Sequence, residues 1–153
     1  MGPSFKFDQM FFEDVVVGEH FIMGEHRLTK EEIIDFALAW DPMPFHIDED
    51  LAKASHFGGL IAAGSHLLSL RMKICHSNGV SPNVIASAGY DEVRFNAPAY
   101  AGDLLTLHVE VLEKRESKSK PDRGYFKLDY RMLNEAGETT LSHTDTIFIR
   151  KRK

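Results

Sequence analysis

The chain has 153 residues and a net charge of −5 at pH 7, with 43% hydrophobic and 27% charged residues. That size and balance fit one domain, residues 1–153, able to bury a core without covalent staples. The acidic balance offers no general attraction for nucleic acid, no run approaches the ~18 apolar residues of a membrane span, and a single cysteine, Cys75, excludes an internal disulfide.

Together these features fit a cytoplasmic protein. The opening MGPSFKFDQMFFED lacks the basic region and apolar run of a secretory leader. The closing Arg150-Lys-Arg-Lys153 reads as a solvated terminus.

In chain order, residues 20–28, HFIMGEHRL, have strand character. Thr29 and Glu32 follow at the spacing of a capping box, in which each side chain takes a free amide of the other. Ile33, Phe36, Ala37 and Trp40 then recur on one helical face, and Pro42 disfavours helix at Asp41, so the helix should stop near Trp40. A short helix is expected over Glu49–Ala54 with Asp48 as its cap. Gly58-Gly59 breaks the chain. The run 61–76, IAAGSHLLSLRMKICH, reads as a helix that is apolar on most sides and therefore buried, beginning between Ile61 and Gly64. Asn78-Gly79 and Pro82 end it.

Strands follow. Residues 84–95 are one candidate. In 104–112, LLTLHVEVL, and 125–133, YFKLDYRML, apolar and polar residues alternate, so one face is inside and one wet. A weaker strand covers 139–149. Gly102-Asp103 and Asn134–Gly137 are turns, and 113–123, EKRESKSKPDR, reads as a polar hairpin loop. Helices and strands are segregated, which gives an α+β class. The economical packing is a curved antiparallel sheet around the single apolar helix.

The chemistry concentrates in Trp40-Asp-Pro-Met-Pro-Phe-His46. Asp41 and His46 are two titratable groups on a segment stiffened by Pro42 and Pro44, with Trp40, Met43 and Phe45 expected to shield them from water. A carboxylate beside an imidazole suits general acid–base work, although the same residues can serve as a helix stop and a hydrogen-bonded structural histidine. Downstream, the start of the buried helix offers free amides with partial positive charge, able to steady an oxygen that becomes negative. Gly64 there fits either close approach of a substrate or close helix–sheet packing.

These residues resemble the MaoC-like dehydratases and (R)-specific enoyl-CoA hydratases, whose signature is Asp, any residue, Asn, Pro, an aliphatic residue, His, followed by a glycine at the start of a helix. Asp41-Pro-Met-Pro-Phe-His46, Phe57-Gly-Gly-Leu-Ile-Ala-Ala-Gly64, Tyr90–Phe95 and Pro98–Asp103 carry the resemblance, which covers roughly residues 10–150. It implies a hot-dog fold, a homodimer or larger homo-oligomer, and an acyl thioester of coenzyme A as substrate, with no separate cofactor and a place in fatty acid metabolism. It further implies that Asp41 and His46 activate one water and that Gly64 supplies an amide for the thioester oxygen.

The sequence departs from the pattern where Met43 replaces the Asn, Phe45 the aliphatic residue, Trp40 a smaller residue and Ala63 a histidine. Trp40, Met43, Phe45, Ala63, Ser65 and Arg94 are therefore the candidate substrate contacts, Arg94 toward coenzyme A phosphates. Rival readings are a hot-dog thioesterase and a non-catalytic acyl-CoA-binding subunit. Ser65-His66 lacks a nucleophile elbow. No metal site is expected: His46, His56, His66 and His76 recur every ten residues, but no ligand motif accompanies them.

Overall fold

A computed structural model describes residues 7–153. After two short 3-10 turns at Phe7–Gln9 and Phe12–Asp14, the elements are β1 (His20–Arg27), α1 (Lys30–Trp40), α2 (Pro44–Ile47), α3 (Glu49–Ala54), α4 (Gly64–His76), β2 (Val84–Arg94), β3 (Leu104–Glu116), β4 (Arg123–Leu133) and β5 (Thr139–Arg150). All strand pairs are antiparallel, in the order β1-β3-β4-β5-β2. The sheet packs on α4 through β1, β3 and β5 in a hot-dog fold of the α+β class. Among the described residues no helix is long and apolar enough to cross a membrane.

The alternation read from the sequence sets the faces. Leu105, Leu107, Val109 and Val111 of β3 and Phe126, Leu128, Tyr130 and Met132 of β4 are all buried on the helix side. Each such aliphatic side chain contributes about 1.5–3 kcal/mol on leaving water. β1 bulges between Ile22 and Gly24, where the strand passes over α4. Gly24 has φ +148, and a Cβ there would stand 3.2 Å from Ile74 Cγ2, so glycine lets the strand meet the helix closely.

The local signals hold at α1 and α3. Thr29 Oγ1 accepts from the Glu32 amide and Glu32 Oε1 accepts from the Thr29 amide, each at 3.2 Å. Asp48 Oδ1 accepts from the Leu51 amide at 3.0 Å.

α4 begins at Gly64, the far end of the expected span, because Ile61 is bridged to Tyr100 in extended backbone. Two expectations need correction. The helix is not buried all round: His66, Leu67, Leu70, Arg71 and Ile74 are buried, while Ser65, Met72, Lys73 and His76 face outward. The polar loop after β3 is shorter than 113–123, since β3 continues to Glu116 and β4 resumes at Arg123. Backbone pairing of Glu113–Glu116 with Gly124–Lys127 sustains that extension without an apolar pattern.

Candidate active site

Asp41 stands at the end of α1. Its amide closes the helix on Ala37 O at 2.8 Å, and its side chain is 43% exposed. Pro42 and Met43 turn the chain, and Pro44 opens the single helical turn α2. Proline is suited to that first position because its missing N–H would have no helical partner there. The sequence reading held this segment as a stiff loop. The turn of helix matters because it carries His46 inward, to 5% exposure.

His46 is held on both sides. Its Nδ1 lies 2.7 Å from the carbonyl oxygen of Ile61. A carbonyl only accepts, so Nδ1 carries the proton and donates. The Ile61 amide donates back to Phe45 O at 3.2 Å, so two hydrogen bonds tie α2 to the segment that leads into α4. With Nδ1–H committed, neutral His46 presents the Nε2 lone pair, 3.6 Å from Asp41 Oδ2. That separation is too long for a direct hydrogen bond. Phe45 packs edge-on to the His46 ring at 4.6 Å and against Phe57 at 5.1 Å.

The segment from Ile61 to Ala63 then delivers the start of α4. The first helical bond is that of the Leu67 amide to Ala63 O at 3.1 Å, so the amides of Gly64, Ser65 and His66 precede it and point out of the helix end. Gly64 is a matter of packing: a Cβ there would lie 2.5 Å from Phe95 Cζ. Close packing thus accounts for the glycine by itself.

A family model for the MaoC like domain matches residues 14–125. The chain belongs to the MaoC-like domain family. A solved MaoC-like dehydratase from Rhodospirillum rubrum superposes on this MaoC-like chain with a TM-score of 0.86 at 35% identity, covering 94% of this chain and 99% of that one. The uncharacterized protein YdeM of Bacillus subtilis is 30% identical over 112 residues, 72% of this chain and 79% of YdeM. The 3-hydroxybutyryl-CoA dehydratase of Methylorubrum extorquens is 28% identical over 105 residues, 68% of this chain and 65% of that enzyme's length.

The other candidate residues of this MaoC-like domain fall in different places. Trp40, the last residue of α1, is 75% and Met43 45% exposed, so neither shields the Asp41–His46 pair, and of the three apolar residues only Phe45 lies against the imidazole. Ala63 is fully buried as the N-cap of α4, and its side chain is closed to any ligand. Ser65 is exposed on the first turn of α4. Arg94 is exposed, and its guanidinium pairs with Glu92 at 3.1 Å and with the Val93 carbonyl. Cys75 is half-buried, its Sγ 3.9 Å from the Tyr130 hydroxyl, and burial pushes its thiol up.

Two residues of the site escaped the sequence reading. Ile61 acts through its carbonyl, which no side-chain motif reports. Phe95 reaches Gly64 only through the fold. His66, beside Gly64, is buried and stacked on Phe36 at 4.6 Å with its Nδ1 unpartnered, and burial holds its pKa below the ordinary 6.5. Among the described residues no group of three His, Cys, Asp or Glu side chains is placed to hold a metal ion.

Proposed function

We propose that the protein adds water to a 2,3-enoyl thioester of coenzyme A, or removes it in the reverse direction, with Asp41 and His46 acting on a single water. The observation that carries this reading is the pairing of two acceptors across 3.6 Å, His46 Nε2 and Asp41 Oδ2, with the imidazole fixed by Ile61. Two acceptors at that spacing suit one donor molecule with two O–H bonds. The kinship with proteins named as dehydratases, one of them for a 3-hydroxyacyl-CoA, supports the reaction class.

The chemistry follows from the thioester. Its carbonyl withdraws electrons, so C3 accepts the water oxygen and negative charge collects on the carbonyl oxygen. One water proton passes to the Asp41–His46 pair as the C3–O bond forms, and the pair returns a proton to C2 as the enolate collapses. Net, one water adds across the double bond. The Gly64 amide would donate to the enolate oxygen. An oxyanion donor is worth about 10²–10³ in rate and a placed acid–base group about 10²–10⁴. Self-association of the chain belongs to the same reading, with sedimentation analysis as its check.

The test is incubation with crotonyl-CoA and longer enoyl-CoAs, following enone absorbance and free thiol separately. Loss of the enone without thiol is expected. Thiol release would make the protein a thioesterase, and neither signal at any chain length would leave an acyl-CoA-binding subunit.

A further inference from the structure

The sheet face turned away from α4 carries a pair of histidines that the hydration reading does not use. His108 of β3 alternates with the buried Leu107 and Val109, so it projects from the outer face, and His20 of β1 does the same beside the buried Phe21. In the ladder His20 stands opposite Glu110, and Ile22 opposite His108. The two imidazoles are therefore diagonal neighbours, within reach of each other across the strand pair. His108 Nδ1 lies 3.2 Å from His20 Nε2, and the rings stack with their centroids 5.2 Å apart. His20 is exposed and His108 half-buried, so the pair is open to solvent.

A hydrogen bond between two neutral imidazoles uses one N–H and one lone pair. The same two nitrogens can instead present two lone pairs. The donating ring then carries its proton on its outer nitrogen, and the charge of the protein is unchanged. Two nitrogens bound at about 2.0–2.1 Å to a tetrahedral zinc ion stand about 3.3–3.4 Å apart. The observed 3.2 Å falls short of that edge by only about 0.1–0.2 Å, which a small side-chain rotation supplies. Imidazole suits zinc, whereas magnesium and calcium prefer oxygen ligands. Glu110, exposed and directly across from His20, adds negative charge to the same face. Arg131, opposite His108 on β4, is neutralised by Asp129 at 2.9 Å.

We propose that His20 and His108 bind one zinc ion between Nε2 and Nδ1, with water filling the remaining positions, and that the ion clasps β1 to β3. β1 lies at one edge of the sheet and pairs with β3 alone, so a link at this place ties down a strand held from one side. The two ligands lie 88 residues apart in the chain, which is why no spacing motif reports them. Two protein ligands make an open site rather than the closed four-ligand shell of structural zinc, so occupancy follows the free zinc concentration.

The experiment strips the full chain of metal, removes the chelator, and titrates with zinc chloride, with magnesium chloride as the control. Calorimetry reads binding, a melt reads Tm, and the ring ¹⁵N signals of the histidines read which nitrogens are engaged. One saturable zinc per chain is expected, with the largest ¹⁵N shifts at His20 Nε2 and His108 Nδ1 and a Tm that rises with free zinc. Magnesium is expected to do none of this. His20→Ala and His108→Ala should each weaken zinc at least about tenfold, since residues that merely support a metal ligand are already worth about 10–100-fold. No saturable zinc, equal binding of magnesium, ¹⁵N shifts confined to other histidines, or a zinc affinity untouched by both substitutions would each overturn the proposal. Should a variant not fold, the wild-type ¹⁵N shifts decide alone. Binding is read without substrate, so neither result bears on the hydration of an enoyl-CoA.

Discussion

His46 Nδ1 donates to the carbonyl oxygen of Ile61 at 2.7 Å, and that bond determines what the other edge of the ring can do. It fixes the tautomer that leaves Nε2 as an acceptor facing Asp41. His46→Ala removes both the base and the partner of a buried carbonyl. We expect turnover of an enoyl-CoA to fall by about 10²–10⁴ and stability by about 1–3 kcal/mol. A denaturant melt alongside the assay separates the two effects, since a loss of that size leaves a typical domain folded. Turnover close to that of the wild type would remove His46 from the mechanism.

Met43 is the N-cap of α2, with extended backbone at φ −68 and ψ 143 and no side-chain cap. The resemblance places an Asn at this position, and an Asn oxygen can accept one of the orphan amides of the turn. Met43→Asn is therefore expected to stabilise the protein by about 0.5–2 kcal/mol, a rise of a few degrees in Tm for a chain of this size. An unchanged or lower Tm would show that the cap does not form.

Gly64 and Phe95 form a tight pair, since a Cβ on Gly64 would meet the ring at 2.5 Å. Phe95 is 54% exposed and can swing outward, so Gly64→Ala should cost about 1 kcal/mol, the low end of overpacking. Adding Phe95→Ala should recover most of that loss. Strict additivity in the double-mutant cycle would show that the two residues do not compete for the same space.

Acidification should destabilise the fold through two buried imidazoles. Burial holds His66 below 6.5, reinforced by His26, His46 and Lys73 and opposed by Glu32. Burial likewise lowers His143, reinforced by Arg71 and opposed by the Thr144 carbonyl and by Asp145 and Asp129. Below about 6.5 the unfolded chain takes up protons that the folded chain refuses. Stability thus rises with pH across that window, is fully present above it, and is lost as the pH falls. Urea midpoints at pH 7.5, 6.5 and 5.5 should decline in that order, and His66→Gln with His143→Gln should flatten the decline. A slope indifferent to both substitutions would place the titration elsewhere.

The fold was legible where local rules and the buried face agree. The Thr29–Glu32 box, the Asp48 cap and the period-two pattern of β3 and β4 are all short-range signals, and all recur in the structure. The turn α2 was missed because a Pro-rich hexapeptide has no helical periodicity to read. The supposed shield of Trp40 and Met43 failed because apolarity does not say which way a side chain turns after a helix stop. Arg71 lies within the run 61–76 that reads as a mostly apolar helix. Its burial depends on Asp145, Tyr90 and Tyr130, which lie on strands distant in sequence.

The central claim is that Asp41 and His46 share the work on one water. The most direct measurement is the initial rate of enone loss for Asp41→Asn beside the wild type, on the best enoyl-CoA and at equal folded concentration. Asn keeps the shape and removes the charge, so the rate should fall by about 10²–10⁴ while the melting curve stays in place. A rate within about threefold of the wild type, less than any placed acid–base group supplies, would contradict it.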